Sequence, residues 1–258
     1  MDEEPTTSKA VDTSKRVPRD AAYWASQTDA ARVSTVPKGA RNLNVEGKQA
    51  VGPLQGFGPM WQKTYRIRLP GVDAQPAAVI KVWKEKFSQF WPAGNNFYAP
   101  LTGIAPGEVA LINSSLPGGM PLSTGVMVLY ADDESFTLMT TQGHPFSGWV
   151  TFSAWTDDCT VVQAQVLMRA NDPLYAIGMR LGGHRQEDKI WQWTLQSLAS
   201  HFGVSEEVET VCQCVDRKMQ WSRAKNIWHN AGVRSTMYLV ASPLILARRA
   251  IVGSRPSR

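Results

Sequence analysis

The sequence predicts an α+β fold in which a curved antiparallel sheet wraps around a long helix near the C-terminus. Three observations predict it. Alternating β-rich runs follow one another between Val126 and Arg169, with tight Asp- or Gly-containing links between them. An amphipathic segment then carries its large apolar residues on one stripe and ends at Gly203. A loop rich in Gly and Pro precedes the runs. A meander followed by one helix implies a cavity between the two layers.

The first half of the chain predicts one strand, one helix and several short extended pieces. Lys63–Leu69 alternates and is rich in β-favouring residues, so it predicts the first strand. Pro76–Trp91 predicts a helix, because proline suits the first helical position and apolar residues recur at helical spacing. Phe97–Leu101 and Glu108–Ser114 are short extended pieces. Leu116–Gly125 predicts a loop near the mouth of the cavity, because regular structure disfavours so much Gly and Pro.

The second half predicts the meander and the helix that it holds. The four runs of the meander are Val126–Tyr130, Phe136–Thr141, Trp149–Trp155 and Thr160–Arg169. Asp172 then suits an N-cap, and Pro173 suits the first helical position. A bend is expected at Gly182-Gly183. The long helix follows from Glu187, and its stripe consists of Trp191, Leu195, Leu198 and Phe202.

The chain divides into three parts on composition. Residues 1–50 are polar and predict a largely disordered N-terminal segment. Residues 51–204 hold the sheet-and-helix domain. Residues 205–258 predict a basic helical extension, with one helix over Ser205–Asn230 and a short apolar segment over Met237–Val252.

Charge is concentrated at the C-terminus. The chain has a net charge of +5, yet Asp216–Arg258 alone holds nine basic residues and one acid. A basic segment attracts phosphate groups, and the apolar segment beside it favours an anionic membrane surface over nucleic acid as the partner of 216–258. Leu244, Ile245, Ile251 and Val252 would insert, with Arg248 and Arg249 at the headgroups. Packing of these apolar residues against the domain or a second subunit, with the arginines facing water, is the preferred interpretation, and the oligomeric state stays open.

The run Gln142–Phe152 (QGHPFSGWVTF) resembles the Gly-His-Pro-x-x-Gly-x-x-x-Phe stretch of DUF1990, a family without an agreed activity. That family lies within the START-like (SRPBCC) superfamily, which has the helix-grip fold and includes polyketide cyclases and lipid-transfer proteins. The resemblance covers Lys63–Gly203. It implies a helix-grip fold and a ligand cavity, and it implies no catalytic residue.

Six residues are candidates for the site. The ligand-binding candidates are Trp149, Met168, Arg169, Trp191 and Leu195: the aromatic and Met side chains suit a flat apolar ligand, and Arg169 suits an anionic group. His144, in the turn before Pro145, is a weak candidate for a catalytic acid or base. Each candidate has an alternative interpretation. The aromatic and Met side chains would form a packed core, Arg169 would be salt-bridged, and His144 would bond to a nearby carbonyl within its turn.

No motif for a metal or an organic cofactor is recognised. His184 and Glu187 are one helical turn apart, but a zinc site needs at least a third ligand, for which only His144 offers itself. A solvated helix start is therefore the favoured interpretation of this run. The three cysteines, Cys159, Cys212 and Cys214, have no disulfide-framework or metal spacing.

Three functions follow from these patterns. The leading hypothesis is binding of a hydrophobic or amphipathic small molecule between the sheet and the long helix. The second is a cyclase- or hydrolase-type enzyme of the same fold that uses His144 and an arginine. The third is a scaffold that contacts a membrane through its basic extension. The start of the sequence lacks a secretory pattern, so the expected location is the cytoplasm, with peripheral membrane contact as an addition.

Overall fold

A single curved sheet of eight antiparallel strands dominates the structure. The computed structural model describes residues 21–116 and 119–253, with side chains as far as residue 242. The strands are β1 Met60–Leu69, β2 Asn96–Tyr98, β3 Val109–Ser115, β4 Pro121–Ala131, β5 Ser135–Thr140, β6 Phe146–Thr156, β7 Thr160–Ala170 and β8 Glu209–Asp216. Their order across the sheet is β2-β3-β4-β5-β6-β7-β1-β8, so β1 closes onto the last strand of the meander.

The helices lie against this sheet. They are α1 Pro76–Lys86, α2 Pro173–Gly178, α3 His184–His201 and α4 Ala231–Gly253. A π-helical turn, Met179–Gly183, joins α2 to α3, and its Gly182 has a φ of 124°. This turn is the bend expected from the Gly-Gly pair. A curved antiparallel sheet closed around the long helix α3 is the helix-grip fold, so the predicted fold class is confirmed.

The helix α3 is held by its apolar stripe. Trp191, Leu195 and Leu198 are all buried in the main core. Asp172 caps α2 as predicted, because its carboxylate accepts hydrogen bonds from the backbone N–H groups of Leu174 and Tyr175 at 2.9 and 3.1 Å. These contacts fix the start and the buried face of the helical segment that covers the sheet.

The loop predicted over Leu116–Gly125 is wrong in its second half, because β4 begins at Pro121. Proline is tolerated as the first residue of a strand, where its missing N–H leaves the ladder intact. Gly125 lies inside the strand. Glycine is required there, because a Cβ would lie 2.7 Å from the backbone oxygen of Ala110. Gly125 therefore serves close strand packing rather than a free loop.

The helix predicted over Ser205–Asn230 is also wrong. Glu209–Asp216 forms β8 and pairs with β1, with Cys214 opposite Trp61 and Glu209 opposite Arg66. Val and Cys at these positions fit a helical and an alternating period equally well, and the open edge of β1 decides between them. Trp221–His229 follows as a 3-10 helix. The sheet thus continues past the boundary expected at residue 204.

Part of the segment expected to be disordered packs on the sheet. Residues 1–20 lie outside the described residues, but 21–50 cross the outer face of β3 and β4. There Ala31 and Val45 form a second small core with the outward-facing Val109, Leu111 and Met127. Strands β3 and β4 are apolar on both faces, so a covering segment is required, and the polar composition of 21–50 conceals that role.

The helix α4 leaves the body of the protein after its first turns. Ser235 is buried, and its hydroxyl accepts a hydrogen bond of 3.1 Å from the Asn44 side chain. From Met237 to Val240 all four side chains are between 51% and 73% exposed. Successive helical residues point 100° apart, so these four cover every side of the helix. The side chains predicted to insert into a membrane, together with those of Arg248 and Arg249, lie outside the described residues. No helix in the described part of the chain is long and apolar enough to cross a bilayer.

Candidate ligand cavity

A cavity of about 400 Å³ lies between α2, α3 and the inner face of the sheet. Most of its lining is apolar and comes from β3 to β7 and from the helical segment. The lining side chains used below are Trp91, Phe97, His144, Phe146, Trp149, Val150, Val166, Met168, Leu174, Tyr175, Ile177, Leu181, Glu187 and Trp191. Leu174, Ile177 and Leu181 are also exposed to solvent, so they form the rim. The entrance is therefore apolar as well.

Aromatic rings form one wall of the cavity. The rings of Trp91 and Trp191 meet edge to face with their centroids 5.6 Å apart, and Phe97 lies 5.3 Å from Trp91. Phe97 and Trp91 also contact Phe87 in the core beneath. Such packing fixes the rings and preserves the shape of the wall.

The structure brings four of the six predicted residues to the cavity. His144, Trp149, Met168 and Trp191 line it. Leu195 does not, because it is fully buried in the main core one helical turn beyond Trp191.

Arg169 does not line the cavity either, and the prediction that it binds an anionic ligand group is wrong. Successive residues of a strand point to opposite faces, so Met168 faces the cavity and Arg169 faces away. Its guanidinium donates to the backbone oxygens of Gly58 and Lys218 at 2.6 and 2.8 Å and pairs with Asp216. Arg169 therefore ties β7 to the segment after β8.

His144 occupies a tightly docked turn at the edge of the cavity. Its Nδ1 accepts a hydrogen bond of 3.1 Å from the backbone N–H of Phe146. Burial lowers the pKa of His144 to about 4, which the backbone of Phe146 offsets only in part, so the ring is neutral at neutral pH. Gly143, before it, has a φ of 92° and lies so close to the backbone oxygen of His229 that a Cβ would be 2.1 Å from it. The turn is thus fixed by local packing.

Glu187 is the site residue that the sequence interpretation missed. It was assigned to a solvated helix start, yet it is only 5% exposed and lines the cavity. Its Oε1 accepts a hydrogen bond of 3.3 Å from Trp191 Nε1, and its Oε2 lies 2.8 Å from Lys63 Nζ. Burial raises the pKa of Glu187 to about 7, against the opposing effect of Lys63. The available signal was its spacing, because Glu187 is four residues before Trp191 and so shares the buried stripe.

Lys63 belongs to a buried polar cluster behind the cavity. Its Nζ donates to Asp188 Oδ1 at 2.7 Å and to the backbone oxygen of His184 at 3.3 Å. The hydroxyl of Tyr65 donates to the same Asp188 oxygen at 2.7 Å. Burial alone lowers the pKa of Lys63, but Glu187 and Asp188 outweigh it and the pKa is raised. Lys63 is therefore charged and is held by both carboxylates, at 2.8 Å from Glu187 and 2.7 Å from Asp188.

A metal site is not formed from these groups. Within residues 21–116 and 119–253, no three His, Cys, Asp or Glu side chains are placed to hold one ion. Glu187, the second residue of the His-x-x-Glu pair, contacts Lys63 and Trp191 instead.

Comparison with known proteins adds little beyond the architecture. No family model matches the chain, and no curated protein matches it. The resemblance of Gln142–Phe152 to DUF1990 is therefore not confirmed.

Similar solved structures exist at low identity. The di-domain ARO/CYC StfQ from the steffimycin biosynthetic pathway is 10% identical over 57% of this chain and 53% of its own, with a TM-score of 0.42. The chain thus spans about half of StfQ. Protein Ms6760 from Mycobacterium smegmatis is 11% identical over 55% of this chain and 90% of its own, with a TM-score of 0.40. Ara h 8.0201 is 12% identical over 55% and 97%, with a TM-score of 0.39. The fold assignment rests on the strand order and the held helix.

Proposed function

We propose that the protein binds a hydrophobic or amphipathic small molecule in the cavity between the sheet and α3. The observation that carries this proposal is the volume of about 400 Å³ enclosed by largely apolar side chains. Small-molecule sites have volumes of about 300–1,000 Å³ and an apolar lining with few polar groups. A rigid aromatic wall and an apolar rim favour an aromatic or alkyl ligand body.

The two other functions have less support. The enzyme hypothesis requires His144 to meet an arginine in the cavity, and Arg169 is engaged on the other face of the sheet. The scaffold hypothesis predicts a filled core between sheet and helix, and a cavity of this volume argues against it.

Ligand titration followed by Trp emission tests the proposal, because Trp91, Trp149 and Trp191 all line the cavity. Alkyl and aromatic probes should quench the emission saturably, and native mass spectrometry of the purified protein should show a bound small molecule. Val166→Phe places extra volume in the cavity and should weaken probe binding about tenfold or more. Val36→Phe makes the same change at an exposed position and should leave binding unchanged. Absence of saturable quenching with every probe would overturn the proposal.

We also propose that α4 contacts an anionic membrane surface. The exposed Met237–Val240 turn supports this proposal, because it leaves α4 without a covering layer from its own domain. The sequence beyond it is apolar and carries Arg248 and Arg249. An apolar helix with arginines suits the interface of an anionic bilayer.

A further inference from the structure

The described lining of the cavity contains one acidic side chain, Glu187, and otherwise neutral polar side chains. Glu187 is the one carboxyl group in the described lining, and that lining contains no Lys or Arg. His144 and Tyr175, the other ionisable side chains of the described lining, are neutral, because burial lowers the pKa of His144 to about 4 and raises the pKa of Tyr175. The described lining thus offers a ligand an acidic group and no cation.

The groups around Glu187 do not fully neutralise its negative charge. Several groups lie within electrostatic reach of it: Lys63 and Tyr65 from β1, Cys212 from β8, and Asp188 from α3 itself. His184, at the start of α3, interacts with Lys63 and Asp188 of the same cluster. Of these, only Lys63 is positive at neutral pH, and Asp188 accepts its shorter hydrogen bond. When Glu187 is ionised, the cluster of Lys63, Glu187 and Asp188 has a net charge of −1. One additional cation would balance the cluster.

The aromatic wall suits the same kind of group. Trp191 donates to Glu187 through its ring N–H, so the carboxyl lies at the edge of this ring. Trp91 packs perpendicular to Trp191, with the ring centroids 5.6 Å apart. Aromatic faces attract ammonium groups, most strongly where water is excluded.

We propose that the ligand carries one protonated amine that pairs with Glu187, with its apolar remainder enclosed by the cavity. This inference rests on the proposed binding function and adds the chemical class of the ligand. An alkyl or aryl amine provides the missing charge and the apolar body together. A carboxylate of the same length meets the negative cluster and no compensating cation, so fatty acids are disfavoured.

Three probes that share one chain and differ in their head group test this inference: decylamine, decan-1-ol and decanoate. Isothermal titration calorimetry on the full chain, below the concentrations at which the probes form micelles, should give the order amine, alcohol, carboxylate. The amine should bind about tenfold more tightly than the alcohol, as expected of one buried ion pair. Glu187→Gln should abolish this preference, so that the amine and the alcohol bind with similar affinity. The exposed Glu85→Gln on α1 makes the same chemical change and should preserve it.

Proton release gives a second readout that needs no variant. The pKa of Glu187 is raised to about 7, so part of the carboxyl is protonated at pH 7 and amine binding should release a fraction of a proton per ligand, measured as the buffer dependence of the binding heat. The alcohol should release none. If the alcohol binds but the amine shows neither preference nor proton release, the amine inference fails and the cavity function stands. If none of the probes binds, both fail.

Discussion

Lys63 on β1 and Glu187 on α3 place their charged groups 2.8 Å apart, between the sheet and the helix that it holds. Both side chains are almost fully buried, and Asp188 completes the cluster. A buried ion pair is costly to desolvate, so it contributes little compared with an apolar pair of equal volume. Removal of one partner is different, because it leaves a charge buried without compensation.

Lys63→Met should therefore lower the free energy of unfolding by about 3–5 kcal/mol, since Glu187 and Asp188 would lose their shared cation. Chemical denaturation measures the change. Arg68 supplies the matched control, because its ion pairs with Asp157 and Asp158 are largely exposed. Arg68→Met should change stability far less than Lys63→Met, because exposed ion pairs are screened by solvent. Equal effects of the two substitutions would show that the buried cluster does not support the fold.

The raised pKa of Glu187 predicts a pH dependence of stability. The folded-state pKa of about 7 lies above the ordinary value of 4.5, so between these pH values the folded state binds more protons than the unfolded state. The contribution of Glu187 is favourable below pH 4.5, decreases as pH rises through this window and is constant above about pH 7. Glu187→Gln cannot ionise. Its stability relative to the native protein should therefore rise by on the order of 3 kcal/mol from pH 4.5 to pH 7.

The comparison must be made as a difference between variant and native protein. Burial also lowers the pKa of His144 and of His184 to about 4, and these two groups oppose Glu187 by destabilising the fold as pH falls below 6.5. Glu85→Gln, the same chemical change at an exposed position outside the cluster, is again the control. A flat difference for Glu187→Gln would mean that the carboxyl is solvated in solution.

Because the buried side chains of α3 hold it against the sheet, truncating them should strongly lower the free energy of unfolding. Leu195→Ala or Leu198→Ala should each lower the free energy of unfolding by about 2–5 kcal/mol, because each side chain is fully buried. Gln196→Ala, on the exposed face of α3, should change it by less than about 0.5 kcal/mol. Thermal or chemical unfolding of all three proteins checks the ranking. Unchanged unfolding midpoints for both leucine variants would contradict the packing of α3 against the sheet.

These residues also show how far the sequence predicts the structure. The meander and the stripe of α3 were predictable, because alternation and helical spacing directly encode which face is buried. The cap at Asp172 and the bend at Gly182-Gly183 were predictable from local backbone chemistry.

Strand β8 and the covering segment 21–50 were not predictable, because both depend on surfaces that exist only after the sheet has formed. The site divides in the same way. Trp149, Met168 and Trp191 follow from composition and face, whereas Glu187 depends on its partner Lys63, far away in sequence. A charged residue on an apolar stripe is predicted to be exposed as long as its partner is unknown.

His144 should act on stability through its neutral form. His144→Ala removes the acceptor for the Phe146 N–H and should cost about 1–3 kcal/mol at pH 7.5. The native ring has a lowered pKa, so its contribution is complete above about pH 6.5 and is lost as pH falls towards 4. The gap between native protein and variant should therefore narrow over that range. Urea titrations at several pH values measure it, and a gap that widens on acidification would contradict a buried neutral histidine.

The membrane proposal predicts that binding resides in the end of α4. A chain shortened to Val204 cannot test it, since it lacks β8 and the partner of Arg169. A chain that ends at Ser242 keeps β8 and the buried Ser235 and removes only the basic, apolar end. The full chain should co-sediment with anionic phosphatidylserine vesicles at low salt, and the shortened chain should not. Each basic residue near such a surface contributes about 1 kcal/mol, so replacing Arg248 and Arg249 by Ala should reduce partitioning about thirtyfold. Equal sedimentation of the full and shortened chains would overturn the proposal, and the exposed Met237–Val240 turn would then need another partner.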